Sequence, residues 1–306
     1  MNSKSNDIKK FWHKLKECKT VHIIVDLLIF CSIFFHGSTL LFGQLASGSS
    51  IPYGDNRVAG NYAILNGVRL YYESYGKGNP LILLHGNGGN IEGMKYQIEY
   101  FSKYYEVITM DCRGRGKSEL GRDSLTYIQM TEDVVSLLDY LHKDSVYIIG
   151  RSDGGIIALL MGIYYPEKVK KIAAFGANLS PDTTAAYSSL IEQIHKDRQH
   201  AEEMISKNDT TKNWFLIKQL NRLMEFQPHI SADDLKKIKS PVLILSCDRD
   251  VIKEEHTLFI YRNIPKANLC IFPGETHWIT RENPSLFNST VAKFFSEPYK
   301  GNEIRK

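Results

Sequence analysis

The sequence predicts an α/β protein. A mostly parallel sheet carries helices on both faces, an antiparallel hairpin leads it, and a helical block is inserted late. Three observations predict this. Leu81-Ile82-Leu83-Leu84 has no polar position, the pattern of a strand buried on both faces of a parallel sheet. From there to residue 175, strand-like and helix-like runs alternate, as successive βαβ units require. Ahead of them, Tyr62-Ala63-Ile64-Leu65 and Val68-Arg69-Leu70-Tyr71-Tyr72 flank Asn66-Gly67, the strongest short-range hairpin signal.

Taken in order, the alternation gives a helix near residues 91–100, a strand at 105–110, and a helix over 127–142. That helix places Met130, Val134, Leu137, Leu138 and Leu141 on one face, with Thr126 and Gln129 as a capping box. A strand at 146–149, a buried helix at 156–165 stopped by Pro166, and a strand at 171–175 follow. Residues 178–239 break the rhythm. They are polar and helical, with apolar clusters at Leu190, Ile191 and Ile194 and at Trp214, Phe215, Ile217, Leu220, Leu223 and Met224. Strands resume at 241–245 and 268–272. The organisation expected is a core of 61–177 and 240–298 with 178–239 inserted as a helical lid. Trp214 and Phe215 fit equally as the lining of an acyl or aryl pocket and as packing between lid and core.

The 306 residues, 43% hydrophobic and 24% charged, have ample chain to bury a core of this kind. The net charge of +4 is uneven. Residues 1–44 carry six lysines against Asp7, Glu17 and Asp26, so the remainder is near neutral and offers no basic stripe for nucleic acid. The leader, residues 1–46, runs from lysine-rich to apolar (21–35) to small residues, the layout of an export signal cleaved near 43–48, or of an uncleaved anchor giving membrane association. Asp26 interrupts the apolar run at roughly 3 kcal/mol on insertion scales. Either form predicts an extracytoplasmic catalytic part joined by a polar linker (47–60); the plain alternative is a frayed extension of a cytoplasmic enzyme. Cys112, Cys247 and Cys270 lie beyond the leader with no C-x-x-C or zinc spacing, so they read as free thiols.

The chemistry sits in Gly150-Arg151-Ser152-Asp153-Gly154-Gly155, between a strand and a helix. A serine flanked by glycines in that context is a nucleophile elbow: the turn pushes Oγ out of the sheet, and the helix that begins there aims unpaired N–H groups beside it. Four further segments stand at strand ends. His85-Gly86-Asn87-Gly88-Gly89 offers the Asn87 amide as partner to that of Asp153 in an oxyanion hole. Asp111-Cys112-Arg113-Gly114-Arg115-Gly116-Lys117-Ser118 lacks phosphate-loop spacing and reads as a structural turn anchored by Asp111 and Arg113. Asp248 and Asp250 follow the 242–245 strand, and either can orient a histidine. His277 follows the 268–272 strand, downstream of serine and acid, and reads as the general base. Metal spacing such as H-E-x-x-H is absent.

With these motifs in this order, residues 62–297 resemble the α/β-hydrolase superfamily. The resemblance implies the α/β-hydrolase fold, no cofactor, and a serine hydrolase acting on a small carboxylic ester through an acyl-enzyme. It makes Ser152, Asp250 and His277 the triad. Asp250 matches the last Asp of the family's G-D-x-D turn, although Cys247 replaces its Gly, which keeps Asp248 as a second candidate. Acyl transfer, amide, lactone, thioester or carbon–carbon cleavage by the same triad, and ligand binding without turnover, are the competing functions. Residues 150–178 look most like family members that cleave α-amino-acid esters, which implies that Asp153 receives the substrate's ammonium. A carboxylate about 5–7 Å from a developing oxyanion opposes it by roughly 2–3 kcal/mol at an effective dielectric near 20. A cation must therefore face Asp153, whether a substrate amine or an internal arginine such as Arg151 or Arg113.

Overall fold

The computed structural model describes residues 51–121 and 124–301. The leader lies outside these residues; among the described ones, no helix is long and apolar enough to cross a membrane.

Eight strands form one sheet: β1 (Gly60–Leu65), β2 (Val68–Tyr75), β3 (Asn79–Leu84), β4 (Tyr105–Met110), β5 (Val146–Arg151), β6 (Val169–Phe175), β7 (Val242–Arg249) and β8 (Ala267–Thr276), in the spatial order β1-β2-β4-β3-β5-β6-β7-β8. The hairpin β1–β2 is antiparallel, and β2 meets β4 antiparallel. All other pairings are parallel. Asn66 and Gly67 turn the hairpin with φ of 47° and 77°, the left-handed conformations that this dipeptide tolerates.

The apolar strand predicted at its centre behaves as its sequence requires. In β3, Leu81 and Leu83 point into one core and Ile82 and Leu84 into the other, all four fully buried. One face is covered by α1 (Lys95–Phe101), α8 (Ile279–Glu282) and α9 (Pro284–Ser296), which contribute Ile98, Phe101, Ile279, Phe287 and Val291. The other is covered by α2 (Tyr127–Tyr140), α3 (Asp153–Tyr164) and α7 (Glu254–Asn263), through Val134, Leu138, Ile157, Leu160 and Ile260. Thr126 caps α2 by accepting the Gln129 N–H at 3.0 Å. The expected reciprocal half of the capping box is not made, since the Gln129 side-chain oxygen is buried without a partner.

Between β6 and β7, residues 178–239 contain α4 (Ser188–Ser206), α5 (Trp214–Phe226) and the short α6 (Ala232–Leu235), with no strand. The chain order around β3 decides where a site can form. β4 lies on one side of β3 and β5 on the other, so the loops leaving β3 and β5 diverge at a topological switch point, where open α/β sheets keep their crevice.

Candidate active site

Ser152 is the single residue between β5 and α3, held at φ 54° and ψ −118°. A non-glycine residue in that region costs on the order of 1–3 kcal/mol and persists only where its surroundings dictate it. Here they do. A Cβ on Gly150 would stand 2.1 Å from the Gly154 carbonyl oxygen, and one on Gly154 would stand 2.2 Å from that of Leu84, so strand, turn and helix meet backbone to backbone. The Ser152 N–H is fixed to the Phe175 carbonyl at 2.8 Å. As first residue of α3, Asp153 has an N–H with no intrahelical partner.

Beyond β7, Asp250 takes His277 Nδ1–H at 2.6 Å on Oδ1. The same oxygen accepts the amides of Val251 at 2.7 Å and Ile252 at 3.2 Å, while Ser246 Oγ reaches Oδ2 at 3.3 Å. Burial pushes the Asp250 carboxyl up, but the hydrogen bond and charge of His277 outweigh it and leave the group below its ordinary range. The imidazole is held on two further sides. Phe175 stacks on it with centroids 5.6 Å apart, and Gly176, at φ 60°, leaves room that a Cβ would fill 2.6 Å from Cε1. The other candidate acid, Asp248, turns away and accepts the Gly274 amide at 2.8 and 2.9 Å. The missing turn glycine does not disturb the arrangement, since Cys247 is buried and paired in register with Phe272.

Ser152 and His277 line one cavity with Asp153 and Tyr127, closed from the inserted segment by Leu190, Ile191 and Ile194 of α4 and Met224 of α5. Among the described residues no hydrogen bond joins the Ser152 hydroxyl to His277, and imidazole Nε2 has no protein partner. Neither Trp214 nor Phe215 reaches this cavity. Trp214 is buried with its Nε1–H on Asp209 at 2.6 Å, and Phe215 is exposed. The packing alternative describes Trp214; the cavity's apolar wall comes from the other apolar cluster of the inserted segment and from Met224.

Asp153 is buried, and three donors occupy its oxygens: Arg115 Nη2 at 3.1 Å, Tyr127 OH at 2.8 Å and Asn87 Nδ2 at 3.1 Å. The internal cation is thus neither of the two arginines expected. Arg113 is committed to Asp133 through two bonds of 2.6 and 2.8 Å, and Arg151 donates to the His277 carbonyl at 3.3 Å. Burial raises the Asp153 carboxyl despite Arg115, Tyr127 and Asn87, which all pull it down. Asn87 also donates to the Leu220 carbonyl of α5 at 3.4 Å, tying the loop after β3 to the inserted segment. His85 supports that loop from beneath. It donates Nδ1–H to the Gly86 carbonyl at 2.8 Å and accepts the Cys112 amide on Nε2 at 3.0 Å, which defines a neutral imidazole. Asp111 anchors the following turn by accepting the amides of Ile91 at 2.9 Å and Lys117 at 2.8 Å. Arg115 and Tyr127 carried no functional signal of their own in the sequence; the demand for a cation beside Asp153 was the one pointer to Arg115, and nothing pointed to the Tyr127 hydroxyl.

A strained serine at a strand–helix turn, an Asp–His pair and a shared cavity, on the C-terminal edge of this sheet, define a class of enzyme, and comparison with known proteins agrees. Residues 79–227 match the sequence profile of the alpha/beta hydrolase fold. The (E)-2-((N-methylformamido)methylene)succinate hydrolase of Acinetobacter baylyi is 30% identical over 247 residues, covering 74% of this chain and 94% of that protein. Human serine hydrolase BPHL is 25% identical over 265 residues, covering 81% and 90%. Among solved structures, the enol-lactonase from Burkholderia xenovorans LB400 superposes with a TM-score of 0.64 at 20% identity, covering 78% of this chain and all of that one, a likeness of fold. The chain belongs to the alpha/beta hydrolase family, and it is a hydrolase.

Proposed function

We propose that this hydrolase cleaves a small carboxylic ester through a covalent acyl-serine intermediate. Ser152 Oγ attacks the carbonyl carbon while its proton passes to His277 Nε2, and the amides of Asn87 and Asp153 hold the resulting oxyanion. Collapse breaks the bond to the leaving alcohol, which takes the proton from His277. Water then repeats the sequence and releases the acid. Asp250 fixes the tautomer that leaves Nε2 basic and stabilises the imidazolium formed in each half-reaction. The observation that carries the reading is the 2.6 Å bond from His277 Nδ1 to Asp250, in a residue that opens onto the same cavity as the elbow serine. The absence of a direct Ser152–His277 bond is compatible with it, because catalytic hydrogen bonds in empty sites often close only around substrate.

Arg115 already compensates the charge of Asp153, which favours a neutral acyl group over a substrate ammonium at that position. Labelling by a fluorophosphonate tests the nucleophile, with loss of label in Ser152→Ala. The same variant lowers kcat on a p-nitrophenyl ester by on the order of 10⁴–10⁶; near-native turnover would overturn the mechanism. The proposal places this activity outside the cytoplasm, on the lysine-rich and apolar character of residues 1–46, and mass spectrometry of the purified N-terminus tests it.

A further inference from the structure

A second cavity, of about 210 Å³, lies beside the catalytic loop and shares no lining residue with the first. Its walls are the glycine-rich loop after β3 together with Arg151, Trp278 and Arg281, and no Asp or Glu lines it. The two arginines are unusual in what they lack. Arg151 is 9% exposed, its single hydrogen bond goes to the His277 carbonyl at 3.3 Å, and its Nε is enclosed without a partner. Among the described residues the Arg281 side chain makes no hydrogen bond, and only its backbone amide donates, to the Trp278 carbonyl at 2.8 Å. Among the described residues neither guanidinium has a carboxylate within 4.0 Å. Both instead rest on one indole, 4.3 and 4.7 Å from the centroid of Trp278.

Burying a cation without a counter-charge is costly, and a second cation against the same ring adds repulsion that one indole offsets only in part. Burial, and then Arg281, lower the affinity of Arg151 for its proton to about 10. Asp250 and Asp153 act on it from farther away, but they are already committed to His277 and Arg115. The loop is built to admit this guanidinium: a Cβ on Gly86 would stand 2.8 Å from Arg151 Nη1. At Gly88 and Gly93, by contrast, a Cβ would meet nothing within 4 Å, so that side of the cavity is open space rather than packed core. A planar oxyanion is the group that a guanidinium fork grips through two parallel hydrogen bonds.

We propose that the cavity between Arg151, Arg281 and the glycine-rich loop is a binding site for a small oxyanion, a carboxylate or phosphate, borne either by the substrate or by a free effector. Titration calorimetry of the full chain with inorganic phosphate and with succinate reads this without turnover, so it does not depend on the hydrolytic reading. Wild type binds one anion, and Arg281→Ala weakens binding by on the order of tenfold, with Arg281→Lys recovering part of the loss. Arg281 is exposed and touches no catalytic group, so Arg281→Ala keeps its rate on p-nitrophenyl acetate. Kinetics then separate the sources. Phosphate that inhibits hydrolysis of mono-p-nitrophenyl succinate but not of p-nitrophenyl acetate assigns the anion to the substrate. Binding that competes with neither ester assigns it to an effector. Three results overturn the proposal: no binding up to about 100 mM, binding unchanged in Arg281→Ala and Arg281→Glu, or competition against both esters that survives those substitutions, which would put the anion in the oxyanion hole.

Discussion

Arg115 and Asp153 are paired inside the protein, Nη2 to Oδ2 at 3.1 Å, with side chains only 3% and 6% exposed. In the proposed mechanism the pair answers an electrostatic difficulty, since a carboxylate adjoins Ser152 where negative charge is to develop. Removing Arg115 leaves that charge in place. The repulsion of roughly 2–3 kcal/mol expected at about 5–7 Å corresponds to a loss in kcat of roughly 30–150-fold for Arg115→Met. Because burial already raises the Asp153 carboxyl, the variant recovers activity as pH falls and Asp153 takes up a proton, and loses it as pH rises. The double variant Arg115→Met/Asp153→Asn regains most of the rate, which a steady-state double-mutant cycle measures directly. If the two losses instead add, the pair does not act on the oxyanion.

The two acids at the C-terminal end of β7, Asp248 within it and Asp250 just beyond, are separated by what they touch. Asp250 holds His277 and is predicted to orient it, so Asp250→Asn lowers kcat by on the order of 10³–10⁴, because the amide favours the wrong imidazole tautomer. Asp248→Asn weakens the bonds to the Gly274 amide, costs about 1 kcal/mol in stability, and leaves kcat within a few-fold. Ester kinetics and urea melts of both variants check this. The reverse pattern would transfer the role to Asp248.

How far this site could be read from the sequence depended on where each residue stands relative to a strand. The segments containing Ser152, Asp250, His277 and Asn87 each follow a recognisable apolar run, and parallel strands deliver their C-terminal ends to one edge, so linear order carried spatial meaning. The partner of Asp153 was hidden because Arg113 and Arg115 lie in one turn whose glycines, Gly114 at φ 74° and Gly116 at φ 50°, reverse the backbone twice. Which arginine faces Asp153 is then a matter of loop geometry, not of pattern. Likewise α5 sends Trp214 to Asp209 and Met224 to the cavity, a choice set by how the helix docks. Aromatic character could not decide between the two.

In the proposed reaction the apolar wall of the cavity that Ser152 and His277 line would set a preference for acyl length. Leu190, Ile191 and Ile194 of α4 close a space of about 70 Å³, which suits a short acyl chain. Ile191→Ala removes about three carbon groups from that wall, each worth about 0.8 kcal/mol of burial to a chain that can replace it. The variant should therefore raise kcat/KM for hexanoyl over acetyl p-nitrophenyl esters by up to roughly 60-fold relative to wild type. An unchanged ratio would move the acyl group to another part of the cavity.

His85 gives the fold a pH dependence of its own. Its imidazole is fully enclosed and must stay neutral to accept the Cys112 amide, and burial, followed by the charge of Arg115, carries its pKa from 6.5 to about 3. A depressed value means that the unfolded chain binds a proton which the folded one refuses. Stability from this residue is therefore whole above pH 6.5, falls as pH drops below that value, and levels off near 3. The slope cannot exceed one proton, about 1.4 kcal/mol per pH unit. Burial raises the carboxyls of Asp111 and Asp153 as well, so the His85 contribution must be isolated by difference. His85→Gln loses shape and hydrogen bonds at pH 8, a cost of about 1–3 kcal/mol, but carries no proton to titrate. The gap between wild type and variant should narrow steadily from pH 6.5 downward and change sign before pH 4, measured by urea denaturation at each pH. A gap that stays constant across that range would mean that His85 is protonated in the folded protein, and the loop holding the Asn87 amide would then need a different support.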